Sequence, residues 1–314
     1  MASMKTAVLV VVASLATLYA AAMAWLWFYQ EKLLFQPSVL AANYPLATQQ
    51  DMREVKVAVP GAQLSVLHLQ LPQPKGVVFF LHGNGGDLST WFSNADFYRR
   101  ANFDVVMMDY RGYGKSTGQI ESEAQLRADV RAVWQHFAPQ YQSKKWVLLG
   151  RSLGTALAAG LSVELAQAGR APDATILVSA YQSMQAIAAT HYPIVPQMLL
   201  RYPLRTHEAV ARMRSPLLLI HGEADTLIAP SHSQALHLLA PASKLVLIPK
   251  AGHNDLQEFE VYLRAVRAAL DGSWFCSFAC RRPRGFAAER ALWACAPDCG
   301  PFGGASAVLE AGEI

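Results

Sequence analysis

Hydrophobic and polar positions follow two regimes along this chain. The first is one long apolar run, Ala7 to Tyr29, that contains no charge. As a helix rising about 1.5 Å per residue it reaches roughly 35 Å, enough to cross a hydrocarbon core of about 30 Å. Trp25, Trp27, Phe28 and Tyr29 crowd its end, just before Glu31 and Lys32, a pattern suited to a membrane–water interface. Residues 1–30 are therefore expected to form a transmembrane anchor. A cleaved signal peptide is the competing reading, with Lys5 as its basic segment and Ala22-Met23-Ala24 as its cleavage site. The amino terminus and Lys5 precede the span and Lys32 follows it, a small bias that puts the rest of the chain on the extracytoplasmic side.

The second regime fills residues 31–270. Residues 54–59 and 64–70 flank Pro60-Gly61 and read as an antiparallel hairpin. Six short runs follow, at 77–81, 105–109, 146–149, 175–179, 217–221 and 245–249. They are apolar throughout rather than alternating, as strands buried on both faces of a parallel sheet must be. Helical patterns separate them. Ser122 and Gln125 form a capping box that opens a helix over 123–137, with an apolar stripe of Leu126, Val130, Val133, Trp134 and Phe137. Further helices are expected at 153–167 (ended by Gly169), 231–239 and 255–270. The fold class is α/β, an eight-stranded and mostly parallel sheet flanked by helices.

Composition narrows the function. Hydrophobic residues are 53% of the 314 and charged ones only 16%, against roughly 25% charged in an ordinary soluble domain. This excludes a disordered chain. The net charge is +4 and the Lys and Arg residues are scattered, so no nucleic-acid partner is expected. Cys276, Cys280, Cys295 and Cys299 all fall in a Gly-, Pro- and Arg-rich tail, 271–314. Two disulfides or a Cys₄ zinc site fit their spacing, but the tail shows no regular period and is expected to be a poorly ordered appendage that holds no metal.

The chemistry concentrates at strand ends. Gly150-Arg151-Ser152-Leu153-Gly154 is a G-x-S-x-G between a strand and a helix, the setting of a nucleophile elbow. A serine hydroxyl needs a base, and the base an orienting acid. Asp225 follows the strand at 217–221 and His253 the strand at 245–249, so Ser152, Asp225 and His253 stand in the expected chain order. Asp109, at the end of an earlier strand, and Glu223 are rival acids. Asp255 suits a backbone amide at a helix start instead. His82 and His221 more readily brace loops. The oxyanion hole needs two backbone amides: Leu153, directly after the serine, and Asn84, in the loop His82-Gly83-Asn84-Gly85-Gly86.

Taken together, LHGNGG at 81–86, DYRGYGKSTG at 109–118, GRSLGTALA at 150–158, SAYQSM at 179–184, HGEADTLI at 221–228 and GHND at 252–255 resemble the α/β-hydrolase superfamily. With the apolar run and QEKLLFQPS at 30–38, the chain is similar to a membrane-anchored branch that includes protein depalmitoylases and bacterial relatives. The resemblance implies that Ser152 attacks an acyl carbonyl, His253 takes its proton, Asp225 holds His253, and an acyl-enzyme forms without metal or organic cofactor. Residues 180–214 read as a small helical lid whose Tyr181, Tyr192 and Met198 favour an apolar acyl group, free or lipid-borne. A peptidase of the same fold and a non-catalytic membrane-anchored binding protein are the alternatives.

Overall fold

The computed structural model describes residues 2–273. The cysteine tail lies outside the described residues.

All eight expected strands form: β1 (Met52–Val59), β2 (Ala62–Leu69), β3 (Gly76–Leu81), β4 (Phe103–Met108), β5 (Lys145–Arg151), β6 (Ala174–Val178), β7 (Leu217–Gly222) and β8 (Lys244–Ile248). They make one sheet in the order β1-β2-β4-β3-β5-β6-β7-β8. The β1–β2 and β2–β4 pairs are antiparallel and the others parallel. Why the parallel strands lack alternation is visible in their packing. Val77, Phe79 and Leu81 of β3 face one apolar layer while Val78 and Phe80 face the other, and Leu217 and Leu219 oppose Leu218 and Ile220 on β7 in the same way. Successive side chains point to opposite faces, so a strand covered on both sides must be apolar at every position.

Helices complete the layers: α1 (Ala2–Leu34), α2 (Leu88–Trp91), α3 (Ala95–Ala101), α4 (Glu123–Phe137), α5 (Gly154–Gln167), α6 (Met184–His191), α7 (Thr206–Val210), α8 (Ser231–Leu239) and α9 (Glu260–Asp271). Ser122 caps α4 by accepting the Gln125 N–H. Gly169, at φ +74°, ends the α5 turn as expected. The helix expected over 255–270 is interrupted: residues Leu256–Glu258 make a 3₁₀ turn, and extended Phe259 separates it from α9. The reason is local. The Asp255 carboxylate is spent on the Gly252 N–H at 2.8 Å, so it shapes the loop rather than starting the helix.

α1 is apolar along its length and projects from the domain with its large side chains exposed. Its last turns are tied down. Gln30 donates to the Leu199 carbonyl at 2.7 Å and accepts from the Arg201 N–H at 2.8 Å. Glu31 pairs with Arg201 at 2.7 Å and accepts the Tyr202 hydroxyl at 2.9 Å. Past α1 the backbone forms a short strap: Gly85 N–H donates to Phe35 O, Ser38 N–H to Gly86 O, and Gly114 N–H to Ser38 O.

The sequence of strands steps outward from β3 to β4, then returns past β3 to β5. That reversal opens a crevice at the carboxyl ends of β3 and β5, where ligands bind in such sheets.

Candidate active site

Ser152 stands at the turn between β5 and α5 with φ +51°, a left-handed conformation that a non-glycine residue adopts only under constraint. The flanking glycines make that turn sterically feasible. A Cβ on Gly154 would lie 2.0 Å from the Leu81 carbonyl oxygen, and one on Gly150 would lie 2.5 Å from the Gly154 carbonyl oxygen. The Ser152 N–H donates to Val178 O at 2.9 Å, fastening the elbow to β6. The side chain is held at the rim but covered, the residue being 6% exposed.

Asp225 and His253 arrive on the loops after β7 and β8. Glu223 N–H donates to Ile248 O and Ala224 N–H to Ala251 O, so the two loops are laced together. His253 Nδ1 lies 2.7 Å from Asp225 Oδ2, and His253 Nε2 lies 3.1 Å from Ser152 Oγ. Burial by itself would raise the Asp225 carboxyl. Hydrogen bonds from His221, His253 and the Ile228 N–H outweigh it and hold the group well below the usual carboxylate range. An ionised carboxylate only accepts, so Nδ1 carries the imidazole proton and Nε2 offers its lone pair to the Ser152 hydroxyl.

The rival acid is accounted for elsewhere. Asp109 is fully buried beside His82, 3.5 Å away, and accepts the Leu88 N–H at 3.0 Å. Burial raises its carboxyl. Glu223 is exposed. His221 indeed braces a loop, donating to Ile228 O at 2.8 Å, but it also lies 3.3 Å from Asp225 Oδ2. The carboxylate thus serves two imidazoles, a feature the sequence did not announce.

Asn84 lies in the loop after β3, and Leu153 directly follows Ser152. Neither backbone N–H has a backbone acceptor among the described residues. A Cβ on Gly83 would lie 2.8 Å from the Trp91 ring and 3.3 Å from Ser152 Cβ, so only glycine lets this loop close on Ser152. The three lid residues do not converge. Tyr181 corrects the expectation that it lines an open substrate space: it is a core residue, 1% exposed, donating to Leu153 O at 3.3 Å. Its ring fills the apolar layer beneath the lid. Tyr192 and Met198 are instead exposed.

Arg151 is a residue whose role sequence reasoning missed. Its guanidinium donates to His253 O at 3.0 Å and to Gln257 at 2.9 Å, and it lies over the Trp91 ring at 5.4 Å. Its Nε is buried without a partner, and burial lowers its pKa. The cation therefore holds the backbone of the histidine loop. A small cavity of about 40 Å³ beside it is walled by Trp91, Tyr98 and Tyr262. Arg151→Met is expected to lower kcat about 10- to 100-fold, the value of a charge-assisted hydrogen bond of roughly 1.5–3 kcal/mol. The melting temperature should change little, because an apolar chain of similar length removes a buried cation along with its bonds. Steady-state kinetics beside thermal unfolding checks both. A larger cavity of about 270 Å³, lined by Tyr44, Leu46, Met52, Phe92 and Arg99, includes none of Ser152, Asp225 and His253. Side-chain geometry, not concavity, locates the chemistry.

This sheet, with a hydroxyl, an imidazole and a carboxylate gathered at one edge, defines a hydrolase of the α/β class. Residues 72–204 match the family described as serine aminopeptidase S33. An uncharacterized protein of Mycobacterium tuberculosis is 32% identical over 275 residues, covering 83% of this chain and 94% of its own. Alpha/beta hydrolase domain-containing protein 17C of Mus musculus is 30% identical over 203 residues, which are 62% of this chain and 60% of that protein. Among solved structures, the Pyrococcus furiosus esterase Pf2001 matches with a TM-score of 0.60 at 19% identity, over 76% of this chain and 97% of that one. The chain belongs to the α/β-hydrolase superfamily.

Proposed function

We propose that this chain is a membrane-anchored serine hydrolase that cleaves carboxylic esters or thioesters of apolar acyl groups. The observation that carries the reading is the unbroken relay from Ser152 Oγ through His253 to Asp225, at 3.1 and 2.7 Å, on a strained elbow. In this reading His253 Nε2 takes the Ser152 proton as Oγ attacks the acyl carbonyl. Asp225 stabilises the imidazolium that results. The Asn84 and Leu153 amides receive the charge that develops on the carbonyl oxygen. His253 returns the proton to the leaving alcohol or thiol, and water releases the acid by the same steps in reverse order of partners. None of these steps calls on a metal or an organic cofactor.

Support for an apolar substrate comes from the first part of the lid, residues 180–200, which has no Asp, Glu, Lys or Arg; the charged residues of the lid begin at Arg201. α1 serves in this proposal as the anchor, with the catalytic domain on the extracytoplasmic side. The description of the matched family, serine aminopeptidase, keeps amide cleavage as the alternative. Hydrolysis by the detergent-solubilised full chain should be measured on p-nitrophenyl esters from acetate to palmitate and on amino-acid p-nitroanilides. Turnover is expected on the esters, rising with chain length to an optimum beyond acetate. Turnover confined to the anilides would replace the proposal with a peptidase, and none on either by folded protein would replace it with a binding role.

A further inference from the structure

The lid does not only overhang the sheet; it climbs α1. The Tyr19 hydroxyl donates to Ile194 O at 2.8 Å, and Gln30 donates to Leu199 O at 2.7 Å. Tyr19 and Gln30 stand about 16 Å apart along a helix axis. The segment from Tyr192 to Leu199 therefore runs beside α1 for about half the thickness of a hydrocarbon core of roughly 30 Å. At the lower end of this contact Arg201 lies over the Trp27 ring at 5.7 Å and pairs with Glu31, a polar and aromatic girdle of the kind found at an interface. Above it, Tyr192, Ile194 and Met198 are 64%, 74% and 87% exposed.

Three large apolar side chains this open on one short loop call for a partner. Their continuity with α1, itself exposed and apolar, indicates which. The backbone of the loop is partly suited to lipid, where unsatisfied polar groups are costly: the Ile194, Gln197 and Met198 N–H groups have no acceptor among the described residues, and the others are absent or bonded. Pro193 and Pro196 bring no N–H. Tyr192 N–H donates to Ala188 O, Val195 N–H to Tyr192 O, Leu199 N–H to Pro196 O and Leu200 N–H to Gln197 O. The Ile194 and Leu199 carbonyls are taken by Tyr19 and Gln30.

We propose that the lid loop from Tyr192 to Leu199 is inserted into the leaflet that α1 enters, so that acyl chains reach the site from the bilayer rather than from water. The base of the same lid is built beside Ser152: β6, which leads into the lid, accepts the Ser152 N–H at Val178 O, and Tyr181 of the lid donates to Leu153 O. One continuous segment thus joins the lipid phase to the reacting centre. The proposal rests on α1 spanning a membrane, and its test separates the two.

The full chain, with Cys276, Cys280, Cys295 and Cys299 replaced by serine, is given one cysteine at a time: Leu18→Cys, Ile194→Cys, Met198→Cys or Leu238→Cys. Each is labelled with an environment-sensitive fluorophore in phosphatidylcholine vesicles. Quenching by lipids carrying a nitroxide at acyl carbon 5 or 12 then reports depth. The expected result is quenching at 18 and at 194, which lies beside Tyr19, mainly by the deep nitroxide, quenching at 198 by the shallow one, and none at 238, an exposed position on α8. Quenching at 18 with 194 and 198 behaving like 238 would overturn the lid insertion and leave the anchor standing. No quenching at 18 would overturn the anchor and the insertion together. A second readout is rate: Ile194→Glu should lower the ratio of hydrolysis of a vesicle-held long-chain ester to that of a soluble butyrate ester about 10-fold. An unchanged ratio overturns the proposal.

Discussion

Ser152→Ala is expected to abolish ester turnover, by a factor on the order of 10⁵–10⁶ in kcat. The Oγ is the atom that His253 Nε2 faces at 3.1 Å, and alanine supplies nothing to attack the carbonyl. The fold should survive, because the backbone strain at φ +51° is common to serine and alanine and the elbow is fastened by a main-chain bond to Val178. The check is covalent labelling by a fluorophosphonate beside a circular dichroism spectrum. Wild type should label and the variant should not, with matching spectra. Labelling that persists in Ser152→Ala would move the nucleophile to another residue.

Asp225→Asn is expected to lower kcat by about 10⁴-fold while leaving the site assembled. The geometry predicts how the asparagine will sit. Asp225 Oδ1 accepts the Leu227 and Ile228 N–H groups at 3.0 and 2.9 Å, so the amide oxygen must take that position. The NH₂ is then left where Oδ2 was, 2.7 Å from His253 Nδ1. A donor there forces the imidazole proton onto Nε2, and Nε2 can no longer accept from Ser152.

The same substitution carries a pH signature for stability. The folded Asp225 carboxyl lies below its unfolded value, so ionisation favours the folded state. That contribution is fully present above the unfolded pKa of about 3.9 and is lost as pH falls through the folded value. The stability gap between wild type and Asp225→Asn should be widest near neutrality and should close below about pH 4. Denaturant titrations across this range check it. A gap that does not change with pH would mean the carboxylate is not held by its hydrogen bonds as described.

In the proposed reading, one helix links the lipid phase to the loops that carry the site. α1 grips the lid through Gln30 and Glu31, and the strap behind it bonds Gly85 and Gly86, in the loop that holds Asn84. The full chain, rather than a trimmed domain, is therefore the appropriate material for each experiment above.

The chain's own order of residues determined the sheet and the placing of Ser152, Asp225 and His253. Six continuous apolar runs mark strands covered on both faces, and they and the two hairpin strands around Pro60-Gly61 appear within two residues of where the sequence places them. Ser152, Asp225 and His253 each follow such a strand within a few residues, so local pattern alone brought them to one edge of the sheet. Tertiary structure alone decided everything that depends on neighbours remote in sequence. Arg151 is only a letter of the G-x-S-x-G motif until the fold sets the His253 carbonyl 3.0 Å away. Tyr181 reads as a substrate contact until the lid base folds it into the core. His221, on β7, meets Asp225 only because the loop after that strand turns back on it, and Ile194 meets Tyr19 across 175 positions of chain. Periodicity reports which face of an element is buried, but not which partner buries it, and these assignments are decided by the partner.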